Sequence, residues 1–310
     1  MEEAPAPANF TPTQQRMFAM LRREGEPLVF DEEFVDGIVS AATEAVAALS
    51  ERLGGERLWV SKSRLSAVHG CEVKYLAPDD FAWNPATAAG FVAHKAIELA
   101  QYWRGETDPL AAVDEALARL ADQADNRGAY IAGLRDAEWA ELRGRAVERT
   151  TKFMQDFPPL PNTAQPVFEA SAKWQPPGTI EFSGKADLVV GKPNGRESRL
   201  LIVDLKSGAR SFHHRDDLRF YALLQTLRHS VPPRRLVTYY LDYADAEAED
   251  VSEGLLEAAL ARALAGIERH IEITVEGRPA VKRPGFACRW CPLRAECPEG
   301  KGFLDEHDEE

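Results

Sequence analysis

The segment from residue 166 to residue 207 places the strongest limit on the fold, because it holds three strand-like runs in succession. These runs are rich in β-branched and aromatic residues and read VFEASAKW, TIEFSGKADLVV and SRLLIVDLKS. The turn-forming sequence KPNG at residues 192–195 joins the second run to the third. The pattern therefore predicts three consecutive strands, with the last two paired as a hairpin.

Helical periodicity surrounds these strands. After them, the sequence predicts a further strand, RRLVTYYLDY, between two helices. The order helices, β-β-β, α, β, α predicts an α/β fold, and 310 residues suit two average domains or one elaborated domain. The predicted helical segments lie at about residues 12–53, 62–76 (a short helix or a turn), 87–103, 108–157, 213–229 and 253–274.

Composition excludes several classes of protein. With 45% hydrophobic and 28% charged residues, the chain can bury a core and is not a disordered polymer. No apolar run approaches the roughly 18 residues of a membrane span, and the start MEEAPAPANFTPTQQ has no signal-peptide pattern. Four cysteines are too few for a disulfide-stapled secreted fold. We therefore expect a cytoplasmic protein without a membrane partner.

Charge is distributed unevenly along the chain. The net charge of −13 argues against a surface that binds nucleic acid everywhere. However, residues 201–240 contain seven Lys/Arg against three acids, and residues 278–301 contain six against two. The sequence thus allows a basic face on an acidic body.

Two strand carboxylates and a lysine form the first candidate site. Asp204 and Lys206 lie two residues apart on the third strand, so alternation places both on one face, and the hairpin can bring Asp187 beside them. Two carboxylates in apolar strands repel each other unless a positive group lies between them. A hard cation such as Mg²⁺ or Mn²⁺ beside Lys206 would satisfy them and would suit phosphoryl transfer. The alternative is a solvated strand face or a structural ion pair.

His94 is the second candidate, in the sequence GFVAHKAIE on the predicted helix 87–103. Neutral imidazole is a good ligand for Mn²⁺ and an acceptable one for Mg²⁺ next to carboxylates. Taken alone, an ordinary helical histidine is the simpler interpretation.

The four cysteines are the third candidate. Cys288, Cys291 and Cys297 form a tight C-x₂-C-x₅-C group, and Cys71 is the only other cysteine. Four thiolates suit structural zinc or an iron–sulfur cluster, although a zinc ribbon normally uses two C-x₂-C pairs. Four unrelated free thiols are the alternative.

Taken in order, these motifs resemble the RecB-like branch of the PD-(D/E)XK nuclease superfamily. The series runs from Cys71 through G-x₃-H, G-x-x-D and VDLKSG to C-x₂-C-x₅-C. It is most similar to the subset with a 4Fe–4S cluster, which includes CRISPR adaptation nucleases and AddB-type nuclease domains. The resemblance implies a restriction-endonuclease-like core, with a mixed central sheet flanked by helices, a helical N-terminal half and a cluster that joins both ends of the domain. It implies a nuclease domain at 57–303, preceded by an unassigned helical extension at 1–56 and followed by an acidic tail at 304–310.

The resemblance also implies roles for individual residues. His94, Asp187 and Asp204, with the backbone carbonyl of Leu205, would bind the catalytic Mg²⁺ or Mn²⁺. Lys206 would orient the attacking water or stabilise the charge that develops on the phosphate. The 4Fe–4S cluster would be structural, held by Cys71, Cys288, Cys291 and Cys297.

Other residues are expected near the substrate. Family members often carry Q-x₃-Y on the helix after the third strand, but Asp217 stands at the glutamine position here. Glu169 on the first strand would assist the site, and Tyr239 and Tyr240 would be either stacking faces for bases or strand core. The residues predicted to bind DNA are Arg210, Arg215, Arg219 and Tyr221.

Together these features predict a metal-dependent DNA nuclease, an exonuclease acting on single strands or ends in repair, recombination or CRISPR-type processing. The alternative is a catalytically weak DNA-end binding subunit of a repair or integration complex. The intact set of four costly polar groups favours the enzyme. A third alternative is a Cys₄ zinc scaffold, which would lack the colour of an iron–sulfur protein. No P-loop sequence occurs, so the chain carries no ATP motor of its own.

Overall fold

A computed structural model of the protein describes residues 9–22, 25–78, 83–103, 107–211 and 213–307. The helices are α1 (Pro12–Leu21), α2 (Glu32–Arg52), α3 (Lys62–His69), α4 (Glu72–Leu76), α5 (Pro85–Gln101), α6 (Pro109–Ala121), α7 (Asn126–Ala132), α8 (Asp136–Asp156), α9 (His214–His229), α10 (Glu253–Thr274) and α11 (Pro298–His307). The strands are β1 (Leu28–Val29), β2 (Leu58–Val60), β3 (Val167–Trp174), β4 (Ile180–Val190), β5 (Glu197–Ser198), β6 (Leu201–Lys206), β7 (Arg235–Tyr240) and β8 (Asp245–Asp250).

A six-stranded mixed sheet forms the centre of the molecule. The long strand β4 pairs with β3 along one edge, in antiparallel orientation. Its other edge is shared between two strands: β2 pairs in parallel with residues 180–182, and β6 pairs antiparallel with residues 188–190. Beyond β6, the strand β7 is parallel and β8 is antiparallel. The predicted α/β fold with a mixed central sheet is thus confirmed.

The shared edge of β4 creates an opening in the sheet. Neither β2 nor β6 is registered with residues 183–187 of β4. Because β2 runs parallel to β4 and β6 runs antiparallel to it, the chain leaving β2 and the second half of β6 approach this opening from opposite directions. Lys62 therefore meets Asp204 there, although 142 positions separate them.

Helices cover both faces of the sheet. On one face, α2, α9 and α10 pack against Phe182 and Ile202, and on the other α1, α5 and α8 pack against Val203 and Leu205. Alternation along β6 thus places Asp204 on the α9 face with Ile202. Helices α5 to α8 also pack together around a third apolar cluster. No described helix has the length and apolar character that crossing a membrane requires.

Several elements differ from the sequence prediction. The segment 12–53 is not one helix, because residues 22–31 separate α1 from α2 and include β1. The acidic segment 245–250 forms the strand β8, whose acids face arginines of neighbouring elements. The N-terminal helices pack into the same two cores as the sheet. The domain division at residue 56 remains a prediction, as does the tail at 304–310; residues 1–8 and 308–310 lie outside the described chain.

Candidate metal centre

Asp187 lies on β4 where β6 departs from it. Its Oδ2 accepts a hydrogen bond from the Leu205 backbone N–H at 2.7 Å. This bond joins β4 and β6 just beyond the last registered pair of the two strands. Its Oδ1 lies 3.5 Å from Nδ1 of His94 on α5. Burial favours the neutral acid, but His94, Lys62 and the Leu205 N–H together outweigh burial and lower the pKa of Asp187. Likewise, burial opposes the charged imidazole, while Asp187 raises the pKa of His94. Each side chain therefore favours the charged form of the other.

Asp204 is completely buried and lies between two lysines. Lys62 Nζ donates to its Oδ1 at 2.8 Å, and Lys206 Nζ lies 2.8 Å from its Oδ2. That second approach lacks hydrogen-bond geometry, so Oδ2 is a buried oxygen without a hydrogen bond. Burial disfavours the ammonium ion, but Asp204, Tyr221 and Asp187 together outweigh burial and raise the pKa of Lys62. Lys206 also donates to Oδ2 of Asp217 on α9 at 2.9 Å.

Glu169 on β3 is the third acid of the centre. The pairs on either side of it, 168 with 188 and 170 with 186, place Glu169 opposite Asp187. Its backbone has φ of +53°, in the left-handed region that side-chain-bearing residues seldom adopt within a strand. Ligand atoms of His94, Glu169 and Asp187 all lie within 4.8 Å of one another. Glu169 also forms an ion pair with Lys185.

These donors fit a hard divalent cation. One imidazole nitrogen and two carboxylates converge, and a third carboxylate, Asp204, keeps an oxygen that no hydrogen bond satisfies. Carboxylate oxygens with a histidine are the ligands that Mg²⁺ and Mn²⁺ accept. The structure thus brings three of the expected groups together and leaves Asp204 beside them in contact with lysines. Their roles as ligands, including that of the Leu205 carbonyl, remain predictions.

Close packing explains the glycines of the two short motifs. A Cβ on Gly184 would lie 2.6 Å from Cε1 of Tyr221, so a larger residue would displace that ring. A Cβ on Gly90 would collide with the Ser207 side chain, where α5 approaches the end of β6. The Tyr221 hydroxyl donates to the Lys185 carbonyl at 2.6 Å, and burial raises its pKa to about 12. Tyr221 therefore packs against β4, and its role in DNA binding remains a prediction.

The predicted DNA contacts differ in their availability. Arg210 pairs with Asp245 and stacks on aromatic rings, while Arg219 binds Glu249 through two nitrogens at 3.0 and 2.5 Å. Arg215, in the first turn of α9, is exposed. The stacking interpretation of the tyrosine pair at 239 and 240 is wrong, because both side chains are buried in the core and present no face to a base.

The sequence does not predict Lys62 as a residue of the centre. Its only local signal is the three-residue apolar run LWV, which forms β2 and ends two residues before it. A run of three residues is too short to distinguish a strand from a loop. Its position at the centre depends on the pairing of β2 with β4, which no local pattern specifies.

The cysteines lie in two segments that contact each other. Cys71 precedes α4, and the other three lie in the turns before α11. A Cβ on Gly300 would be 3.3 Å from Sγ of Cys288 and 3.4 Å from Sγ of Cys297, so these two sulfurs flank that glycine. In the described chain, no three cysteine sulfurs fall within 4.8 Å of one another. Tetrahedral zinc would hold its sulfurs about 3.8 Å apart.

A buried ion pair fastens the same region independently of the cysteines. Glu72, next to Cys71, is 1% exposed and accepts from two nitrogens of Arg278 at 3.0 and 3.1 Å. It also accepts from the Val281 backbone N–H at 2.8 Å. The hydrogen bond of the Arg278 side chain, which exceeds the effect of burial, lowers the pKa of Glu72. The segment before the cysteine trio is thereby tied to α4.

The chain has recognisable relatives. Residues 60–298 match the sequence model described as the PD-(D/E)XK nuclease superfamily. No curated protein matches the chain. It is similar to the crystal structure of SSO0001, with 15% identity, 68% of this chain and 95% of that chain covered, and a TM-score of 0.33. It is also similar to a protein from Eubacterium rectale suggested to be an exonuclease, with 13% identity, 76% and 88% covered, and a TM-score of 0.45. Because both TM-scores are below 0.5, the assignment of the chain to a family depends on the match to the sequence model and not on these two structures.

Proposed function

The chain belongs to the PD-(D/E)XK nuclease superfamily, and from that premise we propose that it is a metal-dependent DNA exonuclease of the RecB-like branch. The observation that carries this proposal is the convergence of His94, Glu169 and Asp187 beside the completely buried carboxylate of Asp204. Lys206 is within reach of the same carboxylate. The proposed substrate is DNA, either single-stranded or at ends, and the proposed location of the protein is the cytoplasm.

The residues of the centre have different proposed roles in catalysis. His94, Asp187, Asp204 and the Leu205 carbonyl would hold Mg²⁺ or Mn²⁺. When bound, the cation supplies positive charge that polarises the scissile phosphate and lowers the pKa of water. Lys206 donates hydrogen bonds that orient the attacking water and stabilises the added negative charge on the phosphate. The Leu205 N–H keeps the Asp187 carboxylate directed toward His94.

A structural 4Fe–4S cluster held by Cys71, Cys288, Cys291 and Cys297 is part of the proposal. One feature supports it: Glu72, next to Cys71, binds Arg278 and the Val281 N–H, which holds the segment before the other three cysteines close to Cys71. Such a cluster would close the domain proposed at 57–303.

The nuclease proposal predicts cleavage that depends on a divalent metal. End-labelled single- and double-stranded DNA should be degraded with Mg²⁺ or Mn²⁺, and excess EDTA should abolish degradation, because the carboxylates cannot by themselves polarise the phosphate. The assay uses protein purified anaerobically, which would preserve a cluster, and compares it with protein purified in air. A circular single strand should survive if the enzyme needs an end. DNA binding without cleavage under every metal condition would favour the alternative, a DNA-end binding subunit of a repair or CRISPR complex.

Arg215 offers the clearest test of where DNA lies. It is exposed two residues before Asp217, whereas Arg210 and Arg219 are held by acids of β8. Arg215→Glu should weaken binding of a single strand about tenfold at low salt and flatten the log–log salt slope by roughly 0.7, the value for one phosphate contact. Fluorescence anisotropy over a salt series measures both.

The matched control is Arg119→Glu on α6, which makes the same change in net charge at an exposed arginine that pairs with Glu115 of its own helix. Equal losses of affinity in both variants would mean that the overall charge causes the effect and that Arg215 does not contact DNA.

A further inference from the structure

Lys62 belongs to a closed ring of four charges at the centre. Its Nζ lies 2.8 Å from Asp204, Asp204 lies 2.8 Å from Lys206, Lys206 lies 2.9 Å from Asp217, and Asp217 lies 4.0 Å from Lys62. We call these residues the four-charge ring. Positive and negative groups alternate around it, and its formal charge is zero.

The position of Lys62 is closely determined. It occupies the first turn of α3, directly after β2, and its ammonium group lies 5.0 Å from the centre of the Tyr221 ring. Ser66, one turn later on α3, donates to Asp217 at 3.5 Å. Helix α3 thus contacts both carboxylates of the ring. Its lysine is 26% exposed, so it is part of the site and not a free surface cation.

The charges of the four-charge ring determine how firmly the ammonium group of Lys206 is held. This lysine contacts the oxygens of two carboxylates, and each attracts it away from a water molecule or phosphate. Lys62 neutralises Asp204 from its other oxygen and repels the ammonium of Lys206 as a like charge. Without Lys62 the ring would carry one excess negative charge, and Lys206 would be held more firmly between the two acids.

We propose that Lys62 is a positioning residue of the centre, which balances Asp204 and Asp217 so that Lys206 remains available to the attacking water and the phosphate. The inference rests on the proposed nuclease function. It assigns Lys62 no contact with the reacting atoms. Its effect is exerted through the charge and orientation of groups that make such contacts.

Charge compensation distinguishes this role from a structural one. Lys62→Met should lower kcat about 10- to 100-fold, the range for groups that orient active-site residues, with KM changed less than about threefold. Lys62→Arg, which keeps the charge, should retain most of the activity. The double variant Lys62→Met with Asp217→Asn has a neutral ring again, and should recover at least about tenfold in kcat over Lys62→Met alone.

Mn²⁺ binding, measured by calorimetry without DNA, supplies a readout that does not depend on activity. Lys62→Met should bind Mn²⁺ at least as tightly as wild type, because a positive charge beside Asp204 has been removed. Lys173→Met is the matched control: this lysine of β3 pairs with Glu181 on β4 and not with a residue of the ring. It should leave kcat, KM and Mn²⁺ binding unchanged.

Three results would overturn the inference: kcat of Lys62→Met within twofold of wild type, no recovery in the double variant, or loss of Mn²⁺ binding together with activity. The last result would make Lys62 a support for the carboxylates instead of a partner to Lys206. An inactive wild type would instead refute the proposed nuclease function, and the inference with it. Active wild type with active Lys62→Met refutes the inference alone.

Discussion

A protein carrying Asp187→Asn is expected to fold normally and to cleave DNA at least about a thousandfold more slowly than wild type. Asparagine keeps the size of the side chain and an oxygen that can accept the Leu205 N–H. It loses the negative charge that faces His94 and that would bind the cation. Because ligands of one centre act as a unit, the loss of one removes most of the rate. Single-turnover cleavage at saturating Mg²⁺ measures it.

The matched control is Asp114→Asn on α6. Asp114 binds Arg143 through both oxygens, at 2.6 and 2.7 Å, and contacts no residue of the centre. It should lower the melting temperature slightly and leave cleavage unchanged. Asp187→Asn should keep its melting temperature within about 2 °C of wild type in the absence of metal. Near-normal cleavage by Asp187→Asn would mean that the metal site lies elsewhere.

The hairpin that carries Asp187 and Asp204 could be predicted because its information is local. Apolar alternation defines β4 and β6, and a turn sequence joins them, so the two acids meet within a stretch of 18 residues. His94 could be predicted only from its place in an ordered series of motifs. Its helix reaches Asp187 through tertiary packing, since α5 lies against the face of the sheet that holds Leu205. Local pattern was sufficient to pair the two strands and to predict the helix, but it could not place the helix against the sheet.

Lys62 and the acids of β8 could not be predicted, for two different physical reasons. β2 pairs with residues of β4 more than 100 positions later, and β8 pairs with β7 as an acidic edge strand. Alternating Ala and acidic residues in β8 resemble a solvated loop in sequence. Only the folded sheet shows that Glu249 neutralises Arg219. A basic patch counted along the sequence therefore overstates the positive surface available to DNA.

The largest structural effect is expected from Cys71→Ser, which should remove the iron of the proposed cluster and lower the stability of the domain. Cys71 lies more than 200 residues before the trio, so a cluster crosslinks nearly the whole nuclease domain. In the chain-entropy model, closing such a loop is worth about 5 kcal/mol. The Glu72–Arg278 ion pair already joins the same segments, so the measured loss should be smaller. The catalytic core is therefore expected to stay folded, with a melting temperature several degrees lower.

Iron content and visible absorbance of anaerobically purified protein measure the loss of the cluster, and calorimetry measures the stability. Trp290→Phe is the matched control, since Trp290 lies between two proposed ligands, is 75% exposed and would bind no iron. It should retain the iron and the melting temperature of the wild type. Unchanged iron and stability in Cys71→Ser would refute a cluster with four cysteine ligands. Colourless wild-type protein that contains one zinc per chain would replace the cluster with a Cys₄ zinc site, whose loss on Cys71→Ser would still loosen the two ends of the domain.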